Sequence, residues 1–127
     1  MKRDMDLIRK ILLKIEEHDS DDNIQRILID GYSNEEIAYN VYLLKDAGLI
    51  DGTILFGTSS IKPKGYVIQR LNWSGCEFLD ACRDEGRWMK AKVVIDEMKG
   101  ASFDIIKAVL IDLMKRQVST ILTSGTI

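Results

Sequence analysis

Apolar residues recur with a helical step from the first turn of the chain. Met5, Ile8, Leu12 and Ile15 follow at intervals of three and four, Leu7 and Ile11 widen the stripe, and Arg9, Lys10 and Lys14 alternate with it. This pattern predicts a helix over residues 4–17. The polar run 18–23 breaks the period and predicts a loop. Residues 24–29 are short and rich in isoleucine, are closed by Gly31, and predict a strand.

The stretch that organises the rest follows. Ser33 and Glu36 stand at the spacing of a capping box, with Tyr32 and Ile37 placed as a hydrophobic staple across it. Gly48 can take the left-handed conformation that ends a helix, which brings Leu49 onto Leu44. Between these ends, Ile37, Val41 and Leu44 form the apolar stripe of a helix over residues 33–47, flanked by Leu43, Ala47 and Ala38. At 100° per residue the opposite face carries Glu35, Tyr39, Tyr42 and Asp46.

Two β-prone runs, 53–56 and 66–71, enclose a Gly/Ser-rich loop with Pro63 between Lys62 and Lys64. They predict a hairpin with an extended tip, a wing. Ser74 and Glu77 repeat the capping-box spacing, with Trp73 and Phe78 as staple, for a helix to about residue 83. Trp88, Lys92, Ile95 and Met98 mark another helix, ended by Gly100. Ser102 opens a last one, over 102–116, with the stripe Phe103, Ile106, Leu110 and Leu113. The expected fold is α+β: a winged-helix-like core (1–83) with a small antiparallel sheet, a C-terminal helical extension (84–118), and a Thr/Ser-rich tail (119–127) expected to be disordered.

Composition narrows the function classes. At 127 residues, 46% hydrophobic and 30% charged, the chain can bury a core. A net charge of −2 gives no global attraction to nucleic acid, so any basic surface must be local. No stretch approaches the roughly 20 apolar residues of a membrane span, and Lys2 and Arg3 are not followed by a signal-peptide core. A cytoplasmic location is expected. Cys76 and Cys82 are six apart and His18 is the lone histidine, which predicts reduced structural thiols and no zinc site. Asp19, Asp21 and Asp22 lack the glycine and downstream glutamate of a calcium loop. No nucleophile–base pair or phosphate-cradling glycine loop is present, and Glu36 is engaged by its cap. A non-catalytic protein without cofactor is expected.

The opening Met1-Lys2-Arg3-Asp4-Met5-Asp6-Leu7-Ile8-Arg9-Lys10-Ile11-Leu12 resembles the start of an uncharacterised bacterial and phage family, a domain of unknown function. The segments from Gly31-Tyr32-Ser33 through Leu43 to Ile50, and 71–80, resemble it too, in the same order, and the likeness extends to about Trp88. The resemblance implies a small cytosolic protein, often prophage- or plasmid-borne, with a winged-helix-like core. It carries no activity and no functional residues. The Leu43-Leu44-Lys45-Asp46-Ala47-Gly48-Leu49-Ile50 ending is also similar to the recognition helices of many bacterial winged-helix regulators.

Two binding functions follow as expectations: first, because of the fold, a DNA-associated regulator of phage or mobile-element origin, and as the alternative, because of the charge, a protein-interaction module without DNA binding. A DNA-associated regulator would use the wing lysines Lys62 and Lys64, helped by Lys45 and Arg70. A protein-interaction module would use Tyr39 and Tyr42, rimmed by Glu35 and Asp46, since aromatic residues are enriched at interfaces. The carboxylates on the central helix oppose approach to phosphates, whereas base-reading helices bring Arg, Lys, Asn or Gln. The C-terminal helices add a candidate homodimer surface.

Overall fold

In the computed structural model, which describes residues 1–124, the chain forms two compact units, one of residues 1–79 and one that begins at Asp80. The first contains α1 (Met5–Glu17), α2 (Asn34–Asp46), β1 (Ile50–Phe56) and β2 (Pro63–Leu71). The division falls within α3 (Trp73–Cys82), and the second unit continues with α4 (Glu85–Glu97) and α5 (Phe103–Thr123). The fold is α+β, with a helix followed by an antiparallel hairpin in winged-helix-like order and a helical extension after it.

Asp4 caps α1 by accepting from Leu7 N at 3.1 Å, and the helix buries Leu7, Ile8, Ile11, Leu12 and Ile15. That is the predicted stripe without Met5, which lies only half-buried at the first turn. Both ends of α2 form as the sequence requires. Glu36 N donates to Ser33 Oγ at 3.1 Å while Ser33 N donates to Glu36 Oε1 at 3.0 Å. At the other end Gly48 has φ +76°, Gly48 N donates to Lys45 O and Leu49 N to Leu44 O, both at 3.0 Å. Asn40, the one buried polar side chain among the described residues, ties α2 to α1. Its Oδ1 accepts from Asp4 N and its Nδ2 donates to Glu36 O, each at 2.9 Å, so no polar atom of the buried amide is left unmatched.

The strand expected at 24–29 shrinks to a single bridge. Ile24 and Ile68 exchange both backbone hydrogen bonds at 2.8 Å, and the sheet is otherwise β1 and β2 alone. The reason is visible in the burial: Ile24 and Ile27 point inward while Leu28 is 64% exposed. A step of three is incompatible with the two-residue alternation of a strand. Ile27 N donates instead to the Tyr66 hydroxyl at 2.8 Å.

The hairpin is longer than predicted and bulged twice, between Asp51 and Gly52 and between Leu55 and Phe56. A side chain at Gly52 would meet Val67 O at 2.4 Å, so the first bulge needs a glycine. Pro63 opens β2, the position in a strand that tolerates a missing amide proton.

The second capping box does not form. Gly75 N donates to Asn72 Oδ1 at 2.9 Å and Cys76 N to Asn72 O at 3.0 Å, so the cap is Asn72 and Ser74 lies inside the first turn. Asn72 prevails because its amide serves two elements: Nδ2 also donates to Gly48 O at 2.7 Å. The expected staple is absent as well, since Phe78 is buried but Trp73 is 80% exposed, its indole N–H on the Glu77 carboxylate.

In the second unit Asp84 and Ser102 cap α4 and α5. Arg87 Nε and Nη2 donate to Gln117 Oε1 at 2.9 and 2.8 Å, and Nη1 reaches the carbonyls of Asp80 and Ala81. Trp88, Ala91, Ile106 and Leu110 are buried, while Phe103 and Leu113 of the predicted stripe are half-buried. The α4–α5 turn uses Lys99 as well as Gly100, with φ +55° and +119°. The expected disordered tail is a correction: α5 continues to Thr123. Over its last turns the Thr120 and Thr123 hydroxyls return to the carbonyls of Arg116 and Ser119, which lets these polar residues stay within the helix. Residues 125–127 of that tail lie outside the described residues.

Candidate functional site

The caps of α2 fix the rotation of its outer face, and that face meets the wing. Glu35, Ala38, Tyr39 and Tyr42 form one wall of a groove of about 550 Å³, and residues 60–64 at the wing tip form the other, with Met1 at its edge. The tyrosines are half-buried neighbours along the helix, their rings tilted at 46° with centroids 6.3 Å apart. Tyr42 also meets Phe56 edge-on, 6.0 Å away at 77°. This contact holds the end of β1 against α2.

The structure therefore unites two sets of residues that the sequence presented as rivals. Glu35, Tyr39, Tyr42, Lys62 and Lys64 line one groove. Lys45 and Asp46 stand with Tyr42 and Phe56 around a shallower hollow of about 460 Å³ beside β1. Arg70 does not join either site. Its Nη1 lies 3.1 Å from Asp51 Oδ2 across the base of the hairpin, an exposed pair in which the cation is already matched.

Sequence reasoning missed Phe56, Ile61 and Met1. Phe56 and Ile61 carried a signal: both are large apolar residues at the mouth of a polar loop, and they are 49% and 94% exposed. Lys64 also does more than carry charge, because its side chain covers Gly57, where an added Cβ would lie 2.5 Å from Lys64 Cε.

On β2, Tyr66 is pushed above its ordinary pKa of 10.0 mainly by burial, opposed by the Ile27 amide and the charge of Arg26. Among the described residues no group of three or more His, Cys, Asp or Glu side chains could hold a metal ion. Cys76 is exposed and Cys82 buried, and neither is joined in a disulfide among the described residues. No helix among the described residues is long and apolar enough to cross a membrane.

An uncharacterized protein of Haemophilus influenzae is 32% identical to this chain over 124 residues, 97% of either sequence. That alignment extends through α5. No solved structure matches. Residues 2–102 match the family described as hypothetical protein (DUF2513), from the approach to α1 as far as the cap of α5, and the chain belongs to that family.

Proposed function

We propose that the protein is a non-catalytic binding module on a winged-helix-like scaffold, and that its groove between α2 and the wing takes a segment of another protein. One observation carries this reading: the wing tip lines the same groove as the outer face of α2, the face a recognition helix would present to DNA. A helix entering the major groove needs that face clear. Here it carries Glu35 and Asp46, exposed, beside Tyr39 and Tyr42, whose rings supply rigid apolar area at low entropic cost. A groove with two tyrosines and a carboxylate on its helix wall and two lysines on its wing wall suits an extended peptide.

DNA association is the second reading, favoured by Lys62 and Lys64, both at the hairpin tip. Its attraction would be confined to the wing, with Arg70 paired to Asp51. The two readings separate in titrations on the full chain, one with mixed-sequence duplex DNA at low and moderate salt, one with peptides enriched from a random display library. Peptide binding in the groove with no duplex binding at low salt is expected. Duplex binding that weakens steeply with salt and is lost in Lys62→Ala/Lys64→Ala would overturn the peptide reading in favour of DNA.

A further inference from the structure

The two walls of the α2–wing groove are unequal in charge. Lys62 and Lys64, both exposed, stand on the wing wall, and Glu35 is the carboxylate on the helix wall. The lining therefore has an excess of positive charge, in a chain whose net charge is −2. At the base of the same hairpin the one cation is already matched, Arg70 by Asp51 at 3.1 Å. At the tip, among the described residues, neither lysine is matched by a carboxylate.

The wing also holds these charges in place. Ser60 N donates to Gly57 O at 3.2 Å and Lys62 N to Ser60 Oγ at 3.1 Å, which closes the tip into a turn. Pro63 fixes the backbone between the two lysines. The Lys64 side chain lies over Gly57, where any side chain would displace it. A cation on an ordered stem loses less freedom when it meets an anion. Beside the charges the surface is apolar: Ile61 is 94% exposed at the tip, and Tyr39 and Tyr42 stand on the opposite wall.

We infer that the occupant of the groove is an acidic extended segment of a partner protein. Its aromatic or aliphatic side chain sits between Ile61 and the tyrosines, and flanking aspartates or glutamates meet Lys62 and Lys64. This inference rests on the peptide reading of the groove and adds the chemistry of the peptide. Glu35 separates such a segment from other polyanions. Its carboxylate calls for a hydrogen-bond donor, which a peptide backbone N–H supplies. The phosphates of DNA offer only acceptors and negative charge at that point, and are repelled.

A labelled random copolymer of glutamate and tyrosine is the probe. A lysine–tyrosine copolymer and mixed-sequence duplex DNA are the comparisons, each titrated onto the full chain. The glutamate–tyrosine copolymer should bind most tightly. Lys62→Glu/Lys64→Glu should weaken it by at least about tenfold and turn the preference to the lysine–tyrosine copolymer, whereas Lys62→Arg/Lys64→Arg should retain it. Both lysines are exposed, so the variants should melt with the wild type. Equal or tighter binding of the lysine–tyrosine copolymer, lost in Tyr39→Ala/Tyr42→Ala, overturns the acidic assignment and leaves the peptide reading standing. Neutral library peptides that bind where the glutamate–tyrosine copolymer does not have the same consequence. Duplex DNA that displaces the copolymer and binds more tightly through the same lysines overturns both. If neither copolymer nor any library-enriched peptide binds, both fall as well.

Discussion

The Tyr66 hydroxyl accepts the backbone amide proton of Ile27 at 2.8 Å, and both residues are buried. This bond anchors the segment between α1 and α2 where the expected strand fails to pair. Tyr66→Phe removes the acceptor and leaves a buried N–H, which should cost about 1–3 kcal/mol. Urea denaturation of both proteins measures the difference.

The same tyrosine sets an alkaline limit. Its pKa is raised above 10.0 in the fold, so the unfolded chain releases the proton first as pH rises. This contribution to stability is fully present below pH 10.0 and is lost as pH climbs from there through the raised folded value. The gap in stability between wild type and Tyr66→Phe should narrow in that window, as denaturation midpoints across it would record.

The caps rank clearly. Ser33→Ala should destabilise by about 0.5–2 kcal/mol. Asn72→Ala should cost at least as much, because it removes both the bond from Gly75 N and the one to Gly48 O. Ser74→Ala, inside the first turn of α3, should stay within about 0.5 kcal/mol. A Ser74 effect equal to that of Asn72 would contradict the cap assigned to α3.

Gly75 sits where α3 touches the end of α2. A Cβ there would lie 2.0 Å from Leu49 O, a backbone atom with no freedom to yield. Gly75→Ala should destabilise by about 1–3 kcal/mol or more, as overpacking does, and a neutral result in thermal denaturation would show that this junction is looser.

How much of this was legible in the chain depends on how local the cause is. The ends of α2 were readable because Ser33, Glu36, Gly48 and Leu49 act on their own helix. The stripes of α1 and α5 were readable for the same reason. The cap of α3 was misplaced because the Ser74–Glu77 spacing fits a capping box, while Asn72 wins through a bond to Gly48 that is 24 residues away in sequence. The strand at 24–29 failed because Tyr66 takes the Ile27 amide from 39 residues away. In the groove, Glu35, Tyr39, Tyr42, Lys62 and Lys64 were identifiable by type, but their meeting was not. Whether Lys62 and Tyr39 share a site depends on how far the bulged hairpin reaches over α2, and bulge positions are not written in residue type alone.

The most direct test of the central claim is the affinity of a library-enriched peptide for the full chain and for two double variants. If the peptide lies in the α2–wing groove, Tyr39→Ala/Tyr42→Ala weakens it by at least about tenfold, or about 1.4 kcal/mol. Lys62→Ala/Lys64→Ala weakens only peptides that carry acidic residues, and does so less at high salt. A peptide that binds both variants as it binds the wild type would contradict the claim that this groove is the protein's working surface.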